Sequence, residues 1–586
     1  VTYQSTLGAT LLGPNKTRFR LWAPDKTNIS LEIEGRSAIA MGADGGGYHS
    51  AIVDCGAGAR YRYRASPDLV VPDPASRGQA RDVHDASVVV DPGEYQWRHD
   101  GWRGRPWHEA VIYELHVGLC GGFLGVEQRL SDLAKLGVTV IELMPVADFP
   151  GTRNWGYDGV LPYAPDASYG RPDDLKSLID TAHGLGLMVM LDVVYNHFGP
   201  DGNYLSAYAS AFWRNDLSTP WGDAIDFRHD QVRRFFVDNA LYWLLEYRFD
   251  GLRFDAVHAI RDPDFLQALA AEIRTTVEPR RHVHLVMENE DNAAHLLRTG
   301  SDQPGYDAQW ADEFHHCLHV MLTGEYEGYY EDYTAAPAAM LARCLAEGFG
   351  FQGQVSQHMG QPRGEPSGHL PPTCFVVCLQ NHDQIGNRAM GERLTTLADP
   401  DALRAATALL LLIPQIPLLF MGQEWGAATP FLFFTDHHGE LAEAVRQGRR
   451  REFAKFAAFA DPERRKQIPD PNAVATYEAS RPDPTEALKD KHADWLAVHQ
   501  KLLAIRTQHI MPHMERARAL SAEPLSETAV RASWRLGNGT VLTIGINLGA
   551  TALPWSASGD ILFATPDGTT SSLPPRSCVA ILEPPQ

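Results

Sequence analysis

Leu187-Met188-Val189-Met190-Leu191-Asp192-Val193-Val194 is a short apolar run interrupted by one carboxylate, and Tyr195-Asn196-His197 follows it. A run of this length reads as a strand buried on both faces, which is the state of a parallel sheet covered by helices. The amphipathic stretch before it, Pro172 to Leu185, reads as a helix. The same unit recurs on both sides. Val111 to His116, Val138 to Met144, Gly251 to Phe254 and Val283 to Met287 read as strands; Gly125 to Leu136, Gln231 to Glu246 and Asp262 to Arg274 read as helices. Phe375 to Leu379, a helix over Pro400 to Leu412 and a strand at Leu418 to Met421 complete the series. Six or more such units in one run favour a closed (β/α)8 TIM barrel, with an open doubly wound sheet as the alternative.

Outside this region the period changes. Residues 1 to about 90 alternate apolar and polar positions in short runs such as Thr17 to Trp22 and Ile29 to Ile33, the pattern of a β-sandwich. Val71-Pro72-Asp73-Pro74 and the stretch from Asp91 to Trp107 read as linker laid over the next domain. Residues from about 437 to 510 are charged and helical, and the two-residue period returns near 515, in Ala529 to Leu536 and Val541 to Leu548. The expected organisation is therefore an N-terminal β-sandwich (1–90), a catalytic barrel with linker, insertions and trailing helices (91–510), and a C-terminal β-sandwich (511–586). No repeat or low-complexity segment is visible.

The 586 residues are 44% hydrophobic and carry 52 Lys and Arg against 73 Asp and Glu. That balance would repel a phosphate backbone or an anionic membrane surface, so nucleic acid and membrane are excluded as expected partners. Arg446, Arg449, Arg450 and Arg451 form a local basic cluster that reads as a solvated helix face. The most apolar run, Ala405 to Met421, is broken by Pro414, Gln415 and Pro417 and suits a buried helix and strand better than a membrane span. Seven scattered cysteines point to a reducing cytoplasm, and Val1-Thr2-Tyr3-Gln4 shows no basic region followed by an apolar stretch, so no leader is expected.

In a barrel of this type the reactive groups sit where strands end. After the third strand stand Asp192, Asn196 and His197; after the fourth, Arg253 and Asp255; after the fifth, Glu288, Asn289, Glu290, Asp291 and Asn292; after the seventh, Asn381, His382 and Asp383. Each alone has a plainer reading, as a satisfied core group or a solvated loop edge, but four strand ends bearing such groups form a rim. Converging carboxylates serve either a hard metal or the cleavage of a sugar bond. Arg253 lies two residues before Asp255, on the same face of the strand, and would hold that carboxylate ionised, which a nucleophile needs. Glu288 follows the apolar Leu285, Val286 and Met287, so partial burial is expected to mark it as a general acid. No nucleophile elbow of a Ser or Cys hydrolase is present.

These four stretches, in this order, resemble those of the α-amylase superfamily of glycoside hydrolases, family 13, and the resemblance runs over essentially the whole chain. It implies Asp255 as nucleophile, Glu288 as acid/base and Asp383 as transition-state stabiliser. It implies a subsite for the reacting sugar built from His197, Arg253 and His382, with Tyr157 of Trp155-Gly156-Tyr157-Asp158-Gly159 stacking on the ring and Asp192 and Asn196 as supports. Asn196 to Leu205, Thr219 to Ile225, Phe314-His315-His316 with Leu322 to Glu325, and Gln380 to Arg388 look like the branch that releases trehalose from maltooligosyltrehalose. That implies maltooligosyltrehalose as substrate, a retaining mechanism with Asp255 and Glu288 about 5 to 5.5 Å apart, no cofactor, no catalytic metal, and coupling to an enzyme that makes this substrate. The N-terminal sandwich would then resemble a carbohydrate-binding module. Trp221, Asn289, Asp291, Asn292, Phe314 and Glu325 are the expected acceptor-side contacts. Two stretches depart from the family pattern: Val117 to Phe123 is short, and Met287 replaces a small residue. Branching or debranching at α-1,6 bonds is the alternative activity. A non-catalytic glycan-binding protein is the remote one, and it would be expected to lack one of Asp255, Glu288 and Asp383.

Overall fold

Eight short parallel strands close on themselves: β1 Ile112–Leu115, β2 Val140–Leu143, β3 Met188–Val193, β4 Gly251–Phe254, β5 His284–Met287, β6 Ala308–Trp310, β7 Phe375–Cys378 and β8 Ile416–Phe420, with β8 pairing back to β1. This is the computed structural model of the chain, and it describes residues 3, 6–300, 304–556, 558–567 and 572–585. Val1, Thr2 and Gln4, read above for a leader, lie outside the described residues. The barrel is a (β/α)8 TIM barrel. Its sixth strand is only three residues long and carries too little pattern to be read from sequence.

Register decides which side chains meet inside. Glu114 lies opposite Glu142, and Glu142 opposite Met190. Two residues farther along β3, Asp192 lies opposite Arg253, which lies opposite Val286. Because side chains alternate along a strand, this stacks two charged levels within an otherwise apolar barrel. The helices seal its outside. α1 (Gly122–Leu136) buries Phe123, Val126, Leu130 and Leu133 at three- and four-residue spacing and stops at Gly137, whose φ of 106° favours glycine. Each such side chain contributes ~1.5–3 kcal/mol relative to exposure. α2 (Pro172–Gly184), α3 (Asp230–Leu245) and α4 (Pro263–Thr276) follow their strands, and α4 starts sharply because Asp262 accepts from Phe265 N at 2.9 Å ahead of Pro263.

Residues 8–88 form two facing antiparallel sheets, one built on Gly8–Gly13, Lys16–Trp22 and Tyr48–Val53, the other on Ser30–Ile33, Arg60–Ser66 and Leu69–Val71. Val71 to Pro74 is not linker. Asp73 is fully buried in the sandwich, where it accepts the hydroxyls of Tyr61 and Tyr63 at 2.7 and 3.1 Å. The stretch after it does lie across the barrel: Arg98 Nε reaches Asp180 at 2.9 Å, and Trp102 Nε1 donates to Asp250, just before β4, at 2.8 Å. At the other end of the chain a five-stranded antiparallel sheet spans Arg518 to Glu583, with a two-stranded pair, Leu553–Pro554 and Ser572–Leu573, beside it. It docks through the buried Trp534, whose Nε1 donates to Leu345 O of α6 (Pro337–Glu347) at 3.2 Å.

The arginine cluster is not wholly a solvated face. Arg449 is buried between the rings of Phe433 and Phe453 and donates to the carbonyls of Gly386 and Arg388, pinning the segment that follows β7. Among the described residues, no helix is long and apolar enough to cross a membrane.

Where the sandwich meets the barrel, Asp148 and Asp166 are buried together, close to Asp82. Burial and mutual repulsion push Asp148 well above the carboxylate range and burial pushes Asp166 to about 7. A carboxyl whose folded pKa lies above its unfolded value contributes stability at low pH, which is lost as pH rises through the folded value. Asp148→Asn should therefore raise Tm at pH 8 and raise it less at pH 5, in thermal unfolding followed by circular dichroism. Equal shifts at both pH values would contradict the pairing.

Candidate active site

Arg253 is fully buried beneath the rim formed by the strand ends. Its Nη1 contacts Asp192 at 2.8 Å and Asp255 at 2.9 Å, and its Nη2 contacts Glu288 at 2.8 Å. The Trp310 ring lies 4.1 Å from the guanidinium carbon and closes it off from below. A lone buried charge costs several kcal/mol, so a guanidinium in this position requires carboxylates, and its planar fork fixes their directions. One cation thus faces three acids drawn from three adjacent strands.

The two acids nearest the cleft are held differently. Asp255 also accepts from Asn196 Nδ2 at 2.8 Å through its Oδ2. Glu288 accepts through Oε2 from both Arg253 and the Ala256 amide, the latter at 2.9 Å. Ala256 adopts a φ of 40°, an unusual conformation for a residue with a Cβ, and that turn is what presents its amide to Glu288. The apolar flank read in the sequence does not enclose the Glu288 carboxylate: Leu285, Val286 and Met287 are buried in the barrel wall, while the Glu288 side chain is 19% exposed against 11% for Asp255.

Above this level the loop after β2 brings in Tyr157. Gly156 permits the approach, because a Cβ there would stand 2.2 Å from Pro145 O. Asn154 Oδ1 accepts from Gly156 N at 2.8 Å, and His116 Nε2 holds Asn154 O at 2.7 Å. Tyr157 then donates its hydroxyl to Asp192 at 2.7 Å and packs its ring over His382, with centroids 5.2 Å apart. His197 lies against Asn196 and the Tyr157 carbonyl and stacks on Trp221, centroids 5.2 Å apart. Burial pushes Asp192 up to about 7 despite Arg253, pushes Asp383 above its usual range against the neighbouring His382, and depresses His197.

The walls enclose a cleft of about 460 Å³, within the ~300–1,000 Å³ common for small-ligand sites. Asp255, Glu288, Asp383, Tyr157, His197, His382 and Trp221 line it, and Arg253, Asp192 and Asn196 lie buried beneath. The remaining acceptor-side expectations are corrected by the structure. On α5 (Asp312–Thr323) Phe314 is buried in the core, and it is His316, two residues and about 200° farther round the helix, that reaches the cleft. Glu325 turns to His319 and Arg388, at 2.7 Å from each. Asn289 and Asn292 are buried in contacts with Gln309 and Glu313, and Asp291 points to solvent.

Two cleft features and one charge behind the cleft went unread in the sequence. Asp312, just past the short β6, faces the cleft, and burial together with Glu288 and Asp383 pushes it up to about 8. Tyr329, Asp332 and His358 form a second wall, in which Asp332 accepts from Ser356 Oγ and two following amides. Glu114, a charge within the apolar β1, contacts His382 from inside the barrel. Among the described residues, no group of three His, Cys, Asp or Glu is placed to hold a metal ion.

A parallel barrel with this carboxylate rim defines an α-amylase-type catalytic domain, and residues 90–217 match the family model for the alpha amylase catalytic domain; residues 517–580 match a domain of unknown function. The chain is 41% identical over 517 residues to the malto-oligosyltrehalose trehalohydrolase of Deinococcus radiodurans, covering 87% of this chain and 84% of that one. It is 36% identical over 569 residues to the protein of that name from Mycobacterium tuberculosis, covering 93% and 95%. The chain belongs to the malto-oligosyltrehalose trehalohydrolase family. A solved chain from Salmonella typhimurium, described as an alpha amylase, superposes with a TM-score of 0.94 at 44% identity over 99% of this chain and 100% of that one. A 1,4-alpha-glucan branching enzyme from Jannaschia sp. is 34% identical over 281 residues, 42% of this chain.

Asp312 carries a proton at neutral pH in this setting and loses it as pH passes about 8. Its ionisation adds a negative charge facing Glu288. Asp312→Asn should keep wild-type kcat at pH 6 and fall off less between pH 7.5 and 9 in a steady-state pH profile. An unchanged alkaline limb would show that Asp312 does not act on the site.

Proposed function

We propose that the protein hydrolyses the α-1,4 bond that joins a maltooligosaccharide to a terminal trehalose, with retention at the anomeric carbon. The observation that carries this reading is the Arg253 fork, which orients Asp255 and Glu288 into one cleft from below while leaving Glu288 Oε1 without a hydrogen bond among the described residues. Glu288 gives its proton to the glycosidic oxygen as Asp255 attacks the anomeric carbon. The carbon–oxygen bond breaks, trehalose leaves, and a glycosyl ester forms on Asp255. Glu288 then takes a proton from water, whose oxygen displaces Asp255 and restores both carboxyls. Asp383, which lines the same cleft, offsets the positive charge of the oxocarbenium-like transition state.

Tyr157 and His382 serve the sugar whose bond is cut. The acceptor side is assigned to Trp221, exposed at the cleft mouth, and to His316, Tyr329 and Asp332 on the second wall. The His316 ring packs between Tyr329 and Tyr333, and burial keeps it uncharged. A 1,1-linked disaccharide has no reducing end and offers hydroxyls on both rings, which suits a wall of neutral and acceptor groups. The names of the full-length relatives support the substrate. Coupling to an enzyme that forms maltooligosyltrehalose, location in the cytoplasm and a glycan-binding role for the N-terminal sandwich belong to the same reading.

Incubation with maltooligosyltrehalose, and separately with amylose or glycogen, separates the possibilities. Free trehalose should form from the first alone. New α-1,6 linkages from amylose, without trehalose, would favour a branching enzyme. Glu288→Gln should lower turnover ~10²–10⁴-fold with little change in Tm; full activity in that variant would remove Glu288 from the acid/base role.

A further inference from the structure

His382 is gripped from both sides, and the donors and acceptors around it fix its protonation. Its Nδ1 lies 2.5 Å from Glu114 Oε1, while its own backbone N–H donates to Glu114 Oε2 at 3.1 Å. Its Nε2 lies 2.8 Å from the Tyr157 hydroxyl and 3.4 Å from Asp383 Oδ1. A phenol has one proton, and that of Tyr157 goes to Asp192, whose Oδ2 is the acceptor of Arg253 as well. The Tyr157 oxygen therefore presents a lone pair to Nε2. Both ring nitrogens face acceptors, which is the pattern of an imidazolium. Glu114 is 1% exposed and lies on β1, inside the barrel and outside the cleft.

We propose that Glu114 is a positioning residue for the hydrolytic reaction: from within the barrel it holds His382 as a doubly protonated imidazolium, its Nε2–H set between Tyr157 and Asp383. Glu142 completes the arrangement. It is Glu114's register neighbour on β2, 1% exposed, and among the described residues neither of its oxygens has a hydrogen-bond partner. Nothing pairs a charge there, so it remains a neutral acid and leaves Glu114 to balance the ring.

The other groups facing His382 agree with this state. Just past β1, His116 accepts from Leu119 N at Nδ1, at 3.0 Å, and gives its Nε2 proton to Asn154 O, so it adds no charge. Trp155 and Trp310 present rings from the β2 loop and β6. Asp192 acts through Tyr157, and Arg253 on β4 opposes the charge. Burial also opposes it, yet Asp383 and Glu114 together carry His382 to about 10. The ring then keeps one charge throughout the working range. Asp383 has a fixed cation at its side.

This rests on the proposed hydrolysis for its kinetic consequence but not for its structural one, and the two are tested separately. ¹⁵N-histidine NMR of the wild-type protein at pH 8, with the His382 resonances identified by their loss in His382→Gln, should show both ring nitrogens protonated. A neutral ring would overturn the proposal whatever the substrate. In Glu114→Gln one of the two carboxylates that hold the ring charged is gone, so trehalose release should acquire an alkaline limb at lower pH than any in wild type. Beyond the midpoint of that limb, kcat should fall about tenfold per pH unit. A profile that superimposes on wild type would overturn the positioning role; if that variant fails to fold, the wild-type NMR result decides.

Discussion

One buried guanidinium organises the active site. Arg253 cannot be solvated where it lies, and the three carboxylates it needs come from β3, β4 and the end of β5. Barrel register supplies them: Asp192 is its lateral neighbour, Asp255 is two residues on along the same face, and Val286 opposite it puts Glu288 two residues above. Truncating Arg253 would leave these three carboxylates crowded together without their cation, at a cost of several kcal/mol. The stability of the rim and the orientation of its acids are therefore the same set of contacts.

A second level carries the rest. Glu114 and Glu142 sit below the fork, and their register was set by the same strands. Through His382 and Tyr157 this lower level connects back to Asp192 and so to Arg253. The cleft consequently combines alternating charges with a net negative rim, an environment suited to a neutral substrate that becomes cationic only as its bond breaks. The surrounding pieces hold this still. Arg449 pins the backbone after Asp383, and the close packing at Gly156 fixes the loop that carries Tyr157.

Much of this was legible in the sequence because apolar runs and strand-end carboxylates are strong patterns. Seven strands were readable, and the catalytic candidates fell on one rim. β6 was not, since Ala308–Trp310 is too short to show a period, and Trp310 and Asp312 were missed with it. The acceptor wall was displaced for a geometric reason: Phe314 and His316 are neighbours in sequence but lie on different faces of α5. Asn292 carries the right chemistry and is used instead to brace the β5 loop against Gln309 and Glu313, while the Asn289 side chain accepts from the Asp291 amide within that loop. Glu114 and Glu142 went unread, although a lone charge in an apolar strand is the signal of an inward-facing barrel group. Val71 to Pro74 read as linker because prolines mark turns, whereas Asp73 is a core acceptor for two tyrosines.

The central claim is that the shared Arg253 fork leaves Asp255 as the group that attacks the sugar. It is tested most directly by treating Glu288→Gln protein with a maltosyl fluoride that carries a second fluorine on the reacting ring. Such a donor needs no acid to leave and forms a slowly hydrolysed ester. Peptide mapping by mass spectrometry should place one glycosyl group per chain on Asp255. An adduct on Asp192 or Asp383 would contradict the assignment, as would release of fluoride with inversion and no adduct.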